Sequence, residues 1–463
     1  MRENEYVAAL DLGSTRIRLM AARKNDQGML SVITAKEVNS EGSIRRGVVY
    51  NINDTTKKVR ETSYAFKRDL RPELGKIYVG VGGQSVHSRI HTVRKEVSGE
   101  IVSQEIIDSL REECKAYVPE SWEVLAISSP EYRIDGKVEA KPVGVVCQVI
   151  EADYRLILGR PTLMSNLNKA IKDRILIDIA GYIVAPLATA EAVLTQSEKD
   201  KGCALVELGG GVTYVSVYKG NILRYLVTIP LGGEIITKDL SEANLSYEEA
   251  ASLKHGEQIE DKEYDGKKFE TILQSRCEEI VDNVIEQLNQ SGYARQLEKG
   301  IAVTGGSSNL FELRDMLEKK TGIEVRQATT KKTLIHTACD WASDPAFSAI
   351  IGMLSLAEEN CAKERREPTP PASTPQPEPA KPADTDLFGQ PIHTREKEKR
   401  KEKERKLKER EEKIRDPKPP RDPLGLGKRF KKYLEGTSEI LFGEHEEDTE
   451  EDSQEEDKNT ENR

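Results

Sequence analysis

Apolar residues along the first 360 or so positions occur in short runs that alternate with polar and helical stretches. A first set of predicted strands comprises residues 6–10, 17–21, 30–34 and 76–81. A second set comprises residues 204–208, 213–218 and 222–229. In each set a buried strand runs into a glycine-containing turn and a further strand. This repetition, about 200 residues apart, predicts an internally duplicated α/β fold.

The pattern also predicts where the chain divides. Residues 1–83 form the first part of one half. Residues 84–162 combine mixed strands with one helical stretch at 103–117, which predicts a separate small α/β lobe. We expect the second half to cover 163–362, with a smaller lobe near 239–295.

Composition changes sharply near residue 364. Of the 20 prolines, 12 lie between residues 368 and 423, where few apolar residues are available to form a core. We therefore predict a disordered linker, rich in proline and charge, over residues 363–423. Within it, residues 396–415 are nearly all Glu, Lys and Arg. A solvated spacer with partial helicity fits this run better than an RNA-binding arm, because acids interleave with the bases and no aromatic residues stack there.

Several classes of protein are excluded by composition. Residues 1–24 contain acids and lack the apolar core of a signal peptide. The most apolar long stretch, 175–194, is interrupted by Asp178, Gly181, Pro186 and Glu191, so it does not predict a spanning helix. The six histidines show no metal-ligand spacing. We interpret the widely spaced cysteines as reduced core thiols of a cytoplasmic protein; they are Cys114, Cys147, Cys203, Cys277, Cys339 and Cys361.

Three turns that follow predicted strands could hold a nucleotide. The first contains Asp11, Gly13, Ser14, Thr15 and Arg16. The second contains Glu207, Gly209, Gly210, Gly211 and Thr213. The third contains Gly305, Gly306 and Ser307 and leads into a predicted helix. Turn amides and hydroxyls bind phosphate oxygens, and a neighbouring carboxylate can hold a water of Mg²⁺. Each turn alone could equally be structural, but the three in this order favour a nucleotide site.

With these motifs the chain resembles the actin/Hsp70/sugar-kinase ATPase superfamily and, within it, the FtsA family of bacterial cell-division proteins. Residues 11–16 resemble the first phosphate motif, 204–239 the second, and 303–308 the adenosine motif. The lobe near 84–160, with PEYRID at 130–135, resembles the extra subdomain of FtsA. The resemblance implies actin-like, ribonuclease H-like duplicated domains around a nucleotide cleft, an inserted lobe and a disordered C-terminal tail.

The resemblance also implies roles for single residues. ATP and Mg²⁺ would be the cofactors, with Asp11 and Glu207 as catalytic acids and metal ligands, and Lys254 would contact ribose or adenine. The chain departs from the family pattern in having Arg16 for the usual Lys and Glu207 for the usual Asp. Tyr214 stands where family members often have a second acid, and Ala251 where they have an acid beside the lysine. We therefore expect ATP to be bound but hydrolysed slowly or not at all.

Residues 424–443 carry an apolar stripe flanked by cations, a pattern typical of a helix that lies in a membrane interface. The residues assigned to this contact are Leu426, Phe430, Lys431, Lys432, Tyr433, Leu434, Ile440 and Leu441. A helix docked on a protein partner and plain disorder are the alternatives. The arrangement also resembles that of FtsA proteins, which end in a linker and a membrane-targeting helix.

The net charge of −10 is unevenly distributed. Residues 1–394 carry −8, residues 395–443 carry +7 and residues 444–463 carry −9. The basic segment can therefore meet an anionic membrane despite the negative total. The acidic end has no counterpart in the resemblance.

By the resemblance, the protein would be cytoplasmic and peripheral on the inner face of the cell membrane at the division site. It would bind ATP, self-associate into filaments, recruit FtsZ and meet later division proteins, without binding nucleic acid. The FtsZ C-terminal peptide would dock near residues 239–295. Two alternatives stay open at this point: an active ATPase or sugar kinase of the same superfamily, and a pilus- or shape-related actin homologue.

Overall fold

The computed structural model describes residues 5–363, apart from 176, 257–263 and 337–339. The predicted linker, the apolar stripe from Leu426 to Leu441 and the acidic end lie outside the described residues. The chain opens with an antiparallel meander, a short hairpin, a helix and a parallel strand. These elements are β1 (Val7–Leu12), β2 (Arg16–Lys24), β3 (Leu30–Asn39), β4 (Ile44–Arg45), β5 (Val48–Val49), α1 (Ile52–Asp69) and β6 (Lys76–Val81).

The inserted lobe follows β6 and has a hydrophobic core of its own. Its elements are β7 (His87–Glu96), α2 (Gln104–Ala116), β8 (Glu123–Ile127), β9 (Glu131–Ile134), β10 (Lys137–Val138) and β11 (Val149–Gly159). β11 pairs antiparallel with β7 on one edge, and β8 and β9 share its other edge. The side chain of Ser103 caps α2, which buries Leu110 and Cys114 against the sheet.

The chain then returns to the first sheet and crosses to the second half. The elements of this passage are α3 (Pro161–Ala170), β12 (Asp178–Val184), α4 (Ala185–Val193) and α5 (Gln196–Lys201). The long apolar stretch of the sequence is therefore a strand followed by a helix, with Pro186 in the first turn of α4. Among the described residues, no helix is both long and apolar enough to cross a bilayer.

The second half begins with another antiparallel meander and continues with helices and two parallel strands. Its elements are β13 (Cys203–Leu208), β14 (Thr213–Lys219), β15 (Ile222–Ile229), α6 (Gly233–Leu240), α7 (Tyr247–Lys254), α8 (Gly266–Gln290), β16 (Ile301–Thr304), α9 (Phe311–Thr321), β17 (Val325–Gln327), α10 (Asp340–Ser343) and α11 (Ser348–Leu356). Single 3₁₀ turns occur at Ser241–Ala243, Ala294–Gln296, Lys332–Leu334 and Pro345–Phe347.

The two large sheets have the same topology. The first has the strand order β3-β2-β1-β6-β12 and the second the order β15-β14-β13-β16-β17. In each, three consecutive strands pair antiparallel, and two later strands join them in parallel. The predicted duplication is thereby confirmed. The strands expected at 76–81 and 222–229 coincide with β6 and β15.

Two contacts close the body. Helices α4 and α11 pack tightly, since a Cβ at Gly352 would lie under 3.0 Å from the backbone of Ala188. After α11 the chain runs back beside β1, where the amide of Cys361 donates to the carbonyl of Tyr6 at 2.8 Å. The five described cysteines are free thiols and all are buried, which agrees with their interpretation as core residues.

Candidate functional site

The first and second glycine turns occupy equivalent places in the two halves. The first joins β1 to β2, where the amide of Gly13 donates to the carbonyl of Arg16 at 3.0 Å. The second joins β13 to β14, where the amide of Gly209 donates to the carbonyl of Val212 at 2.9 Å. The sequence makes both turns in the same way, because a glycine begins each and a β-strand resumes three or four residues later.

These two turns lie directly against each other. A Cβ at Gly210 would clash with the side chain of Thr15, and a Cβ at Gly211 would clash with that of Ser14. The glycines are therefore what lets the two halves meet at this point. Ser14 is buried and accepts a hydrogen bond from the amide of Gly47 at 2.9 Å, whereas Thr15 is exposed.

The third turn packs on the second through the backbone. The amide of Ser307 donates to the carbonyl of Leu208 at 3.0 Å, and its hydroxyl donates to the carbonyl of Gly209 at 3.2 Å. Gly305 has a φ of +92°, and a Cβ there would lie under 3.0 Å from the carbonyl of Leu208, so both conformation and space require glycine. Gly306 has more room, since the nearest atom to a Cβ would be 3.6 Å away.

The start of α6 completes this cluster. The amide of Gly233 donates to the carbonyl of Gly209 at 3.0 Å, and the amide of Glu234 donates to that of Gly210 at 2.8 Å. The three predicted glycine turns thus form one continuous group together with the first turn of α6. Backbone amides and helix N-termini of this kind are the groups with which proteins hold phosphates.

The two predicted acids stand at matching positions, each one residue before the end of its strand. Asp11 lies in β1 opposite Arg18 of β2, and Glu207 lies in β13 opposite Tyr214 of β14. Burial raises the pKa of Asp11, and the positive charge of Arg18 opposes this rise. The two acids are near enough to interact, because the charge of Asp11 contributes to the raised pKa of Glu207.

Glu207 is the more perturbed of the two. Burial raises the pKa of its carboxyl to about 7, the charge of Asp11 adds to this, and a hydrogen bond with Thr189 opposes it. Its Oε2 atom is buried and has no hydrogen-bond partner among the described residues. A buried carboxylate oxygen without a donor destabilises the fold unless a proton or cation satisfies it.

This donor set fits Mg²⁺ in the form that accompanies a nucleotide. Within the described part of the chain no group of three or more His, Cys, Asp or Glu could hold a metal by itself. Mg²⁺ at nucleotide sites takes one or two carboxylates and fills its other positions with phosphate oxygens and water. Asp11 and the orphaned oxygen of Glu207 could supply the carboxylate part of that shell.

Lys254 joins the cluster from the last residue of α7. Its ammonium group donates to the carbonyl of Gly233 at 3.0 Å and to the hydroxyl of Thr237 at 2.7 Å. Burial lowers the pKa of Lys254 to about 8, and the carboxylate of Glu234 opposes this. A Cβ at Gly233 would be 3.3 Å from the Lys254 nitrogen and would also clash with Ser307. Lys254 is therefore adjacent to the third turn, and its contact with a base or ribose stays a prediction.

Two predicted ligand residues are engaged elsewhere. The guanidinium of Arg16 lies 3.7 Å from the carboxylate of Glu37 on β3. The side chain of Thr213 is fully buried, and its hydroxyl donates to the carbonyl of Leu231 at 2.8 Å. Each would have to leave its partner to reach a phosphate, so these two contacts stay predictions.

The structure adds residues that sequence reasoning missed. The hydroxyl of Tyr214 accepts a hydrogen bond from the amide of Gly83 at 2.6 Å, which links β14 of the second half to the end of β6 in the first. Arg18 and Tyr214 could have been found, since each lies directly across its hairpin from an acid. Thr189 carries no local signal, because only the tertiary packing of α4 brings it to Glu207.

Comparison with known proteins gives matches to one family of cell-division proteins. The family described as cell division protein FtsA matches residues 204–352, and the SHS2 domain inserted in FtsA matches residues 83–158. Cell division protein FtsA of Porphyromonas gingivalis is 31% identical over 383 residues, which cover 78% of this chain and 80% of that protein. FtsA of Bacillus subtilis is 27% identical over 394 residues, which cover 79% of this chain and 87% of that protein.

Among solved structures, the fold is similar to a chain of a PilM–PilN type IV pilus biogenesis complex. The TM-score is 0.56 with 15% sequence identity, over 76% of this chain and 97% of that chain. At this identity the likeness concerns the fold alone. It agrees with the actin-like fold that the family resemblance implied.

Proposed function

The chain belongs to the FtsA family of cell-division proteins, and from that membership we propose a specific role for it in division. It binds ATP with Mg²⁺, assembles in an actin-like manner and anchors FtsZ to the inner face of the cytoplasmic membrane at the septum. The family match over the inserted lobe, residues 83–158, argues against a shape-related actin homologue. Family membership also disfavours a sugar kinase or a pilus protein.

The proposal of nucleotide binding rests on one observation: the three glycine turns and a pair of acids lie together. Ser14, Gly209 and Ser307 each hold a turn of this cluster in place through hydrogen bonds. Beside them, Glu207 carries a buried oxygen without a donor. The turns would bind the phosphates, Lys254 would lie near the nucleoside, and Asp11 with Glu207 would hold the water shell of Mg²⁺.

Slow hydrolysis follows from the same acids. Phosphoryl transfer relies on accurate placement of the attacking water and on fixed charges around the γ-phosphate. Glu207 is one methylene longer than the Asp usual in the family, so it would hold a Mg²⁺-bound water in a displaced position. Tyr214, on the neighbouring strand, is bonded to Gly83 and supplies no second acid.

Nucleotide binding and turnover can be measured separately. We expect a fluorescent ATP analogue to bind in the presence of Mg²⁺, with phosphate release far slower than in active ATPases. Asp11→Asn should weaken Mg²⁺-dependent binding, whereas Asp178→Asn, at an exposed position of β12, should leave it unchanged. Rapid turnover would contradict slow hydrolysis, and equal affinities for the two variants would contradict the assigned metal site.

The membrane part rests on the stripe of residues 424–442. Apolar side chains on one face and Lys431 and Lys432 beside them match a helix that folds at an anionic surface. We expect the protein to co-sediment with anionic liposomes and to bring FtsZ with it in the presence of ATP. Deleting residues 424–442 should greatly weaken liposome binding and FtsZ recruitment. Undiminished liposome binding after the deletion would refute the anchor, and binding without FtsZ recruitment would refute the adaptor role.

The inserted lobe offers a surface for assembly or for later division proteins. Ile101 and Val146 form a β-bridge, and both side chains are more than half exposed, as is that of nearby Val143. Exposed apolar residues in such a group are typical of protein contact surfaces. We expect Ile101→Asp to reduce ATP-dependent sedimentation of filaments while the monomer stays folded. Unchanged filament yield would place the assembly contact elsewhere.

A further inference from the structure

The outer side of α1 and the segment after α3 carry a concentration of positive charge. Six cationic side chains on this surface are exposed, and we refer to them as the α1 basic face: Lys57, Arg60, Arg68, Lys169, Lys172 and Arg174. The nucleotide cluster and the inserted lobe do not use them. In a chain with a net charge of −10, such a group is unexpected unless it faces something negative.

Contacts between the two segments make this one continuous surface. The guanidinium of Arg60 donates to the carbonyl of Arg174 at 3.0 Å, and the guanidinium of Arg174 donates to Asn53 in the first turn of α1. The hydroxyl of Thr56 donates to the carbonyl of Ala170 at 2.8 Å. The end of α3 and residues 171–174 therefore pack alongside α1, and their cations add to those of the helix.

Two acids in or beside α1 form ion pairs with lysines that are not part of this face. Asp69 pairs with Lys36 at 2.8 Å, and Glu41 pairs with Lys58 at 2.7 Å. Within α1 and residues 169–174, the exposed acids without such an ion pair are Asp54, Glu61 and Asp173, against the six cations of the face. The face thus keeps a surplus of positive charge.

Four members of the face form no ion pair. Lys57, Arg68, Lys169 and Lys172 have no carboxylate within 4.0 Å in the described part of the chain, although the charges of Lys57 and Arg68 help to lower the pKa of Glu41 and Asp69. Surface cations that hold no structural partner are free to meet an external anion.

An exposed aromatic residue lies within this face. Tyr64 is 66% exposed and lies one helical turn from both Arg60 and Arg68. Tyrosine presents an apolar ring with a polar tip, and such residues are enriched at the boundary between lipid and water. Cations flanking an exposed ring on one helix face match an anionic lipid surface better than an acidic peptide, which would need a groove.

The position of Lys363, where the described chain ends, also favours a membrane as the partner of this face. The amide of Lys363 donates to the carbonyl of Glu73 at 2.7 Å, and Glu73 follows the end of α1 by four residues. The described part of the chain therefore ends beside the residues that follow α1, and the proposed membrane stripe belongs to the 100 residues after Lys363.

We infer that the α1 basic face is a second membrane contact, which binds anionic lipid headgroups and lays the actin-like body on the bilayer. The inference rests on the proposed anchor at residues 424–442, which brings the body to the surface. A single amphipathic segment joined through a long linker would leave the orientation of the body undetermined. Electrostatic attraction to the α1 basic face would fix which side of the body faces the lipid.

The test uses the full chain and vesicles of phosphatidylcholine with or without phosphatidylglycerol. The face variant combines Lys57→Glu, Arg68→Glu, Lys169→Glu and Lys172→Glu. A matched control with the same change in net charge combines Lys137→Glu, Lys141→Glu, Lys267→Glu and Lys299→Glu, all exposed positions elsewhere. We expect affinity for anionic vesicles to fall by ~10-fold or more for the face variant and much less for the control. Equal losses would overturn the inference, because only net charge would then matter.

Site-specific probes separate this inference from the anchor. An environment-sensitive fluorophore is attached to Tyr64→Cys, to Ser438→Cys in the anchor, or to Val138→Cys on the inserted lobe. We expect a blue shift on anionic vesicles at the first two positions and none at the third. A response at 438 without one at 64 would overturn the second contact and leave the anchor standing. A response at 64 without one at 438 would overturn the anchor, and a response at 64 with FtsZ alone would assign the face to a protein partner instead.

Discussion

At the scale of single residues, Glu207 has the most unusual environment in the candidate site. The ordinary carboxyl pKa of 4.5 is raised to about 7 in the folded protein, mainly by burial and further by the charge of Asp11. The free energy of unfolding must therefore depend on pH. Below pH 4.5 both states hold the proton. As pH rises to about 7, the unfolded state loses it first, so the folded state loses stability over that interval.

Glu207→Gln removes this titration while keeping the shape of the side chain. Without nucleotide or Mg²⁺, the variant should exceed the wild type in free energy of unfolding at pH 8 by up to about 3 kcal/mol, with little difference near pH 4.5. Urea denaturation at the two pH values measures this. The control variant Glu61→Gln, at an exposed position, should change the free energy of unfolding by the same amount at both pH values. A Glu207→Gln effect that does not change with pH would contradict the burial of the charge.

At the scale of elements, the packing of α6 on the second turn depends on a glycine that is not itself a ligand. Gly232 precedes α6 in extended conformation, with a φ of −161° that any residue can adopt. A Cβ there would nevertheless lie under 3.0 Å from the carbonyl oxygens of Gly209 and Gly210. The atoms in the way are backbone, so the helix or the turn would have to move.

Gly232→Ala should therefore separate α6 from the second turn. We expect a loss of about 1–3 kcal/mol in stability from overpacking, together with weaker ATP binding, because the turn amides and Lys254 would be displaced. Thermal denaturation and nucleotide titration measure the two effects. Gly266→Ala is the matched control: it begins α8 with nothing within 4 Å of the added Cβ, and it should be neutral or slightly stabilising. Similar behaviour of the two variants would contradict the steric argument.

At the scale of the whole molecule, residues 357–363 pack back onto the first sheet and complete the body. The amide of Tyr6 donates to the side chain of Asn360 at 3.2 Å, and the amide of Gly75 donates to the carbonyl of Cys361 at 2.9 Å. Lys24 donates to the carbonyl of Ser355 at 2.6 Å and so holds the end of α11. Residues 357–363 are therefore part of the actin-like body and not of the tail.

Two truncations separate these roles. A chain ending at residue 363 should unfold at nearly the temperature of the full protein, because the contacts described for the body are retained. A chain ending at residue 356 should lose about 3 kcal/mol or more, since it removes buried Ala357, Cys361 and Ala362 and exposes backbone groups of β1. Differential scanning calorimetry compares the two. Equal melting temperatures would show that the closing segment contributes nothing.

Much of this arrangement could be predicted from the sequence because it is local. Strands such as β6 and β15 show apolar runs bounded by turn residues, and the turns at Gly13, Gly209 and Gly305 carry their own composition signal. The long helices α1 and α8 were not predicted. The buried side of α1 contains the polar residues Thr55, Thr56 and Ser63, which obscures its periodicity, whereas α8 buries Ile280, Val281, Val284 and Leu288 at a helical spacing that the sequence does show. Thr189 was missed because its importance lies in a contact with a distant part of the chain, and the hydrogen bond between Tyr214 and Gly83 was missed for the same reason.

The sequence by itself determined the duplicated strand pattern, the position of the three glycine turns, the inserted lobe and the change in composition near residue 364. These features depend on residues close together along the chain. Only the tertiary structure decided that the turns touch, that Glu207 is left with an unpaired oxygen beside Asp11, and that cations of α1 and residues 169–174 share one face. Burial, pKa and surface charge depend on which distant residues pack together, and periodicity along the chain does not specify that.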